Sequence, residues 1–169
     1  MNKPLIEACV DSYASCVAAW KGGADRLELC AHLIIGGVTP SPIVFRQVQE
    51  DCDGIKTNVL IRPRFGDFLY TEKEMELQCE EIKIFRDLGA NGVVIGALTP
   101  EGDLDIEKMK RMMDCAGDMD VTLHRAFDMT RDPMATLEQA IELGCKTILT
   151  EPVLLFFQCR RTASRHNAL

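Results

Sequence analysis

Gly23-Ala24-Asp25-Arg26-Leu27-Glu28-Leu29 is echoed twice further along the chain, by Gly89-Ala90-Asn91-Gly92-Val93-Val94-Ile95 and by Gly144-Cys145-Lys146-Thr147-Ile148-Leu149-Thr150. Each copy follows an amphipathic stretch and runs into a short apolar segment. A helix that closes on a glycine and re-enters a buried parallel strand has this form. Repetition of a helix-to-strand unit specifies a wound α/β fold, most simply a TIM-type (β/α) barrel. In that architecture the chemistry sits where the strands end.

Outward from these phrases the remaining elements fall into place. Leu5 to Cys9 reads as the first strand, and Asp11 or Ser12 caps a helix through Trp20 that stops at Gly22-Gly23. Arg26 to Cys30 is the second strand, followed by a loop from Ala31 to Pro42 and a helix from Ile43 to Asp51. Thr57 to Arg62 is the third strand. Thr71 and Glu74 have capping-box spacing, and Met75, Cys79, Ile82 and Phe85 then recur at helical steps up to Gly89. Val93 to Gly96, Val121 to His124 and Lys146 to Thr150 are the fourth, fifth and sixth strands. Asp105 caps the helix carrying Ile106, Met109, Met112 and Met113, and Asp132-Pro133 opens the fifth with Pro at its favoured first position. Residues 1–150 therefore read as an incomplete barrel, about six of the eight β/α units.

After Thr150 the pattern breaks. Val153-Leu154-Leu155-Phe156-Phe157 is an unbroken apolar run, and the stretch after it has no cap and no second apolar face. Residues 151–169 carry a net charge of +2, against −9 for residues 1–150. This atypical tail reads as foreign to the fold, as a frameshift or truncation after Thr150 would leave it. A natural amphipathic tail is the other reading.

The 169 residues suffice for one well-cored domain, whereas a full barrel takes about 250. With 26 acidic and 19 basic residues the net charge is −7 and the isoelectric point is near 5.0. That balance argues against nucleic acid or an anionic membrane as the main partner. No apolar run reaches the roughly 18 residues that span a bilayer, and Met-Asn-Lys-Pro lacks a signal-peptide core. The expectation is a cytoplasmic protein whose eight cysteines are reduced. No organic cofactor is indicated.

Polar residues cluster at the strand ends: Glu7 and Cys9, Glu28 and Cys30, Arg62 and Arg64, then His124, Arg125 and Asp128. Alternation puts Glu7 with Cys9, and Glu28 with Cys30, on one face of their strands. A barrel lumen takes such charges only if they pair or open onto a site. One reading is a catalytic cup of Glu7, Glu28, Arg62, His124 and Asp128 at the C-terminal mouth, acting on a small anionic molecule. The other is a Glu-Arg network that only fills the lumen. In the cup, His124 is the group that titrates near neutrality, and Glu7 or Glu28 holds it or pairs with Arg62. The Ile35–Ser41 loop could offer backbone N–H groups to an anion, but a Gly-Gly turn alone is weak evidence and a plain connector is the favoured reading. No CxxC, HxxxH or HExxH spacing is present. Cys9 and Cys30 end adjacent strands with His32 two residues beyond, a set suited to Cu(I) or Zn(II). Two cysteines packed beneath the loops are the alternative.

Several of these segments together resemble the CutC copper homeostasis family. They are Glu7-Ala8-Cys9-Val10-Asp11-Ser12, Gly22-Gly23-Ala24-Asp25-Arg26-Leu27-Glu28-Leu29-Cys30, Gly36-Gly37-Val38-Thr39-Pro40-Ser41 and Ile61-Arg62-Pro63-Arg64 with Gly66-Asp67-Phe68. Gly92-Val93-Val94-Ile95-Gly96-Ala97-Leu98, His124-Arg125-Ala126-Phe127-Asp128 and Ile148-Leu149-Thr150 complete them. The resemblance covers residues 5–150. It implies a cytoplasmic (β/α) barrel linked to copper, with Cu(I) as metal on Cys9 and Cys30, and a homo-oligomer, dimer or tetramer, in the intact family. It brings no settled reaction with it.

Overall fold

The computed structural model describes residues 4–151, which contain six parallel strands in sequential order, β1 to β6. The strands are β1 (Glu7–Val10), β2 (Arg26–Leu29), β3 (Lys56–Leu60), β4 (Gly92–Ile95), β5 (Asp120–Leu123) and β6 (Thr147–Ile148). Helices α1 (Tyr13–Lys21), α2 (Pro42–Asp51), α3 (Glu72–Asp87), α4 (Ile106–Ala116) and α5 (Pro133–Leu143) fill the successive crossovers. Sequential parallel strands with a helix in every crossover curl into a partial (β/α) barrel. The apolar tail and its proposed foreign origin lie outside the described residues.

Each helix starts on a side-chain cap. Ser12, Ser41, Thr71, Asp105 and Asp132 accept hydrogen bonds from first-turn N–H groups of α1 to α5 in turn. Thr71 and Glu74 form the reciprocal box expected from their spacing. The repeated phrase has a common physical meaning. Gly23, Gly89 and Gly144 all adopt positive φ (85°, 87° and 92°), which lets the chain turn out of the preceding helix without a Cβ clash. Two residues on, the main-chain N–H of Asp25, Asn91 and Lys146 donates to a carbonyl of the preceding strand's segment: Ile6, Thr57 and Val121. In the first two copies the side chain also accepts, Asp25 from the N–H of Ile6 and Asn91 from that of Thr57. The phrase is therefore a latch that docks β2, β4 and β6 each beside the strand before it.

The strands separate two cores. Leu27, Leu29, Val59, Ile61, Val93, Ile95, Val121 and Leu123 pack outward against Phe45, Val48, Met75, Ile82, Phe85, Met109 and Met112 of the helices. The opposite face holds a much smaller apolar cluster of Cys30, Leu60 and Val94. Its other positions are polar: Glu7, Cys9, Arg26, Glu28, Asn58, Thr122 and, beyond the strand ends, Arg62 and His124. Period-2 alternation in register produces this division.

Strand bounds shift by one or two residues from the sequence expectation, most at the two ends of the sheet. Leu5 and Ile6 precede β1 and are exposed, and β6 is reduced to Thr147–Ile148. Two 3₁₀ turns, Leu33–Ile35 and Arg125–Met129, occupy segments expected to be loop. Such short turns leave no periodic signature.

Candidate functional site

The polar face of the sheet is layered along the strands. At the base, Arg26 donates from Nε and Nη2 to the two carboxylate oxygens of Glu7, at 2.7 and 2.8 Å. These residues are register partners at the start of β1 and β2. Glu7 therefore belongs to the N-terminal end of the sheet, and the expected pairing of Glu7 with Arg62 or His124 is not made. Position in the strand decides this, because alternation assigns a face but not a height along it.

One layer up, Glu28 is register partner of both Cys9 and Asn58 and is 4 % exposed. Cys30 Sγ lies 3.6 Å from Glu28 Oε1, and Cys9 stands beside the same residue across the β1–β2 pair. Burial and the charge of Glu7 push Glu28 up to about 7, partly offset by the two thiols and Arg26. Desolvation, then Glu28 and Glu7, pushes Cys9 up to about 12. The same burial and the same Glu28 charge raise Cys30 further. Glu28 thus serves the cysteines and not His124, a second departure from the expected cup.

At the C-terminal end sits Arg62, 6 % exposed. Its Nη1 donates to the carbonyls of Gly36 and Gly37 at 3.2 and 3.1 Å, and its Nη2 to that of Gly66 at 2.7 Å. None of these bonds goes to a carboxylate. The Gly36-Gly37 turn thus presents carbonyls to a cation. Its own N–H groups are spent on Leu33 and His32, which overturns the reading of this loop as an anion cradle. The guanidinium lies over the Phe68 ring at 4.9 Å, and the His124 ring packs on the same Phe68 at 4.7 Å between centroids. The two residues therefore meet at one aromatic wall.

His124 follows β5 directly and caps the 3₁₀ turn Arg125–Met129. Its Nδ1 accepts from the N–H of Ala126 at 3.1 Å, so the neutral ring carries its proton on Nε2. Complete burial, reinforced by the Arg62 charge, lowers His124 to about 3. The group expected to titrate near neutrality is held uncharged there. Asp128 turns away toward β6, accepting from Thr150 Oγ1 at 2.5 Å, from the N–H of Glu151 at 3.2 Å and from Arg125 at 3.1 Å. The five proposed cup residues are thus spread over a base pair, a thiol–carboxylate layer, an Arg62–His124 mouth and a β6 clamp.

Sequence reasoning did not single out Phe68, Tyr70, Asn58 or Arg26 as site residues. Alternation from Glu28 and Arg62 would have placed Arg26 and Asn58 on the polar face. Phe68 and Tyr70 come from the β3–α3 loop, whose path no periodicity reveals. The loop is tied down by the N–H of Leu98 donating to the Phe68 carbonyl at 2.9 Å.

The CutC family model matches residues 4–155. The chain belongs to the CutC family. It is 49% identical over 148 residues to the CutC family protein of Parabacteroides distasonis, covering 88% of this chain and 61% of that protein. The human copper homeostasis protein cutC homolog is 47% identical over 149 residues, covering 88% and 54%. The chain therefore spans less than two thirds of the length of these CutC relatives. A crystal structure described as copper homeostasis protein CutC from Streptococcus agalactiae superposes with a TM-score of 0.82 at 30% identity, covering 88% of this chain and 72% of that one. CutC membership agrees with the resemblance carried by the segments quoted from the sequence, and the shared fold agrees with the partial barrel. No helix among the described residues is long and apolar enough to cross a membrane.

Proposed function

We propose that this chain is a cytoplasmic copper homeostasis protein that takes Cu(I) as its cargo on the thiols of Cys9 and Cys30. The observation that carries this reading is that Glu28 stands beside both cysteines, as register partner of Cys9 and with its Oε1 3.6 Å from Cys30 Sγ. Two cysteines from neighbouring strand ends are thereby held about one carboxylate, and thiolates select soft ions. Among the described residues no group of three or more His, Cys, Asp or Glu is arranged to hold a metal. A pair of sulfur donors falls short of the four ligands that structural Zn(II) takes, which favours Cu(I) of the two soft ions.

The chemistry follows from the proton inventory. Both thiols are raised, so metal must displace a proton from each sulfur. Glu28, raised to about 7, is partly ionised at neutral pH and lies within reach of both protons. It accepts one as sulfur takes the ion, and solvent at the exposed Cys9 takes the other.

The test is Cu(I) competition against a chromophoric chelator. The Cys9→Ser/Cys30→Ser variant should lose Cu(I) binding. Unchanged affinity in that variant would sink the assignment.

A further inference from the structure

Among the described residues, three buried polar atoms at the C-terminal end of the sheet have no partner within hydrogen-bond geometry: Arg62 Nε, His124 Nε2 and Tyr70 Oη, the last lying close enough to Arg62 for the two side chains to interact. Their residues are 6 %, 4 % and 4 % exposed. All three atoms can donate. Of the five N–H groups of a guanidinium, three of those on Arg62 are spent on the carbonyls of Gly36, Gly37 and Gly66. The Nε proton and one Nη2 proton remain, along the edge from which a guanidinium grips two oxygens at once. His124 adds an Nε2–H donor, fixed in that tautomer by the Ala126 N–H on Nδ1. Phe68 packs against both and supplies an apolar wall. Arg64, the neighbouring cation, is committed to Glu74 and Asp67 and is not part of the set.

A buried cation without a compensating anion, beside further unsatisfied donors, is costly in a dry interior. An arrangement in which every unmet group is a donor is matched by one kind of partner, a group that is negatively charged and accepts several hydrogen bonds.

We propose that Arg62, His124 and Tyr70 form a binding site for a small oxyanion, a carboxylate or phosphate group. Arg62 grips two oxygens through its Nε and Nη2 edge, His124 and Tyr70 donate as neutral groups, and Phe68 borders the bound group. The site is separate from the thiol pair and contributes no sulfur. Glu7, Glu28 and Asp128 take no part, since each is bonded elsewhere. Two features support the donor roles. His124 is lowered to about 3 and so keeps one proton across the neutral range, and Tyr70, raised to about 12 by burial, keeps its hydroxyl proton.

The experiment is a nitrogen-15 NMR titration of the 169-residue chain with inorganic phosphate and, separately, with malonate, sodium chloride holding the ionic strength constant. The Arg62 Nε–H and His124 Nε2–H signals should shift together and saturate with at least one anion, and that anion should raise the melting temperature. Tighter phosphate binding identifies a phosphoryl ligand, and tighter malonate binding identifies a carboxylate. Arg62→Lys keeps the charge and loses the fork, so it should weaken binding about tenfold or more. The proposal is overturned if neither anion moves these two signals in the wild-type chain, if shifts occur only elsewhere, or if Arg62→Lys binds as tightly as wild type. The wild-type titration decides the matter alone should the variant fail to fold.

Discussion

Glu7 and Arg26 face each other across β1 and β2 through two hydrogen bonds of 2.7 and 2.8 Å. The geometry is the bidentate fork, with the side chains only 20% and 13% exposed. Arg26 is also the cation that lies close enough to Glu28 to favour its ionised form. Removing it should leave two carboxylates facing each other in a shielded layer.

Arg26→Met is therefore expected to destabilise the fold by about 2–3 kcal/mol, less than for a fully buried pair because some solvent reaches both groups. Urea unfolding at neutral pH measures this. Adding Glu7→Gln to Arg26→Met should recover much of the loss. A double variant as unstable as the single would show that packing of the arginine stem, not the unpaired carboxylate, sets the cost.

Glu28 gives a pH prediction of definite sign. Its carboxyl is held at about 7 against an ordinary 4.5, so the folded state keeps a proton that the unfolded chain releases. Stability from this group is intact below the ordinary value and falls as pH rises from about 4.5 to about 7. Glu28→Gln should match wild type near the acid end of that window and exceed it above neutrality. Parallel melting curves across the whole range in both proteins would refute the assignment.

His124 acts at the opposite end. With the folded ring at about 3 and the ordinary value at 6.5, protonation favours the unfolded chain. Its contribution is intact above the ordinary value and falls as pH drops from 6.5 toward 3. Histidine NMR signals should show His124 untitrated at pH values where an exposed imidazole is half protonated. His124→Gln should flatten the acid limb of the stability profile. A His124 that titrates near its ordinary value would remove the prediction.

Gly37 links the two proposed sites. Its carbonyl accepts from Arg62, and a Cβ added there would come within 2.7 Å of Leu60 Cδ2 and 3.7 Å of Cys30 Sγ. Its φ of +81° also disfavours any side chain. Gly37→Ala should cost about 1–3 kcal/mol and weaken anion and Cu(I) binding together. Loss of one ligand with full retention of the other would show that the loop does not couple them.

Much of the fold was legible because it rests on local rules. Five caps and three post-helical glycines fall where hydrogen-bond satisfaction and positive φ demand them, and a strand's two faces follow from a period of two. The candidate site was legible only as a set of faces. Glu7, Glu28, Arg62 and His124 do share the polar side of the sheet, yet nothing in their spacing says how high each stands on its strand or which partner is nearest.

By itself, then, the sequence determined the order and type of the elements, the glycine turn that leads into β2, β4 and β6, and the polarity of the concave face, because these depend on interactions within a few residues or on alternation. Only the tertiary structure decided the pairings. Strand register put Arg26 on Glu7 and Cys9 beside Glu28, whose carboxylate also meets Cys30, and the loops gave Arg62 three carbonyls. The path of the β3–α3 loop then set Phe68 against both Arg62 and His124, and burial there held the histidine neutral. A side chain's charge state depends on distance and desolvation, and both are properties of the assembled sheet, not of residue order.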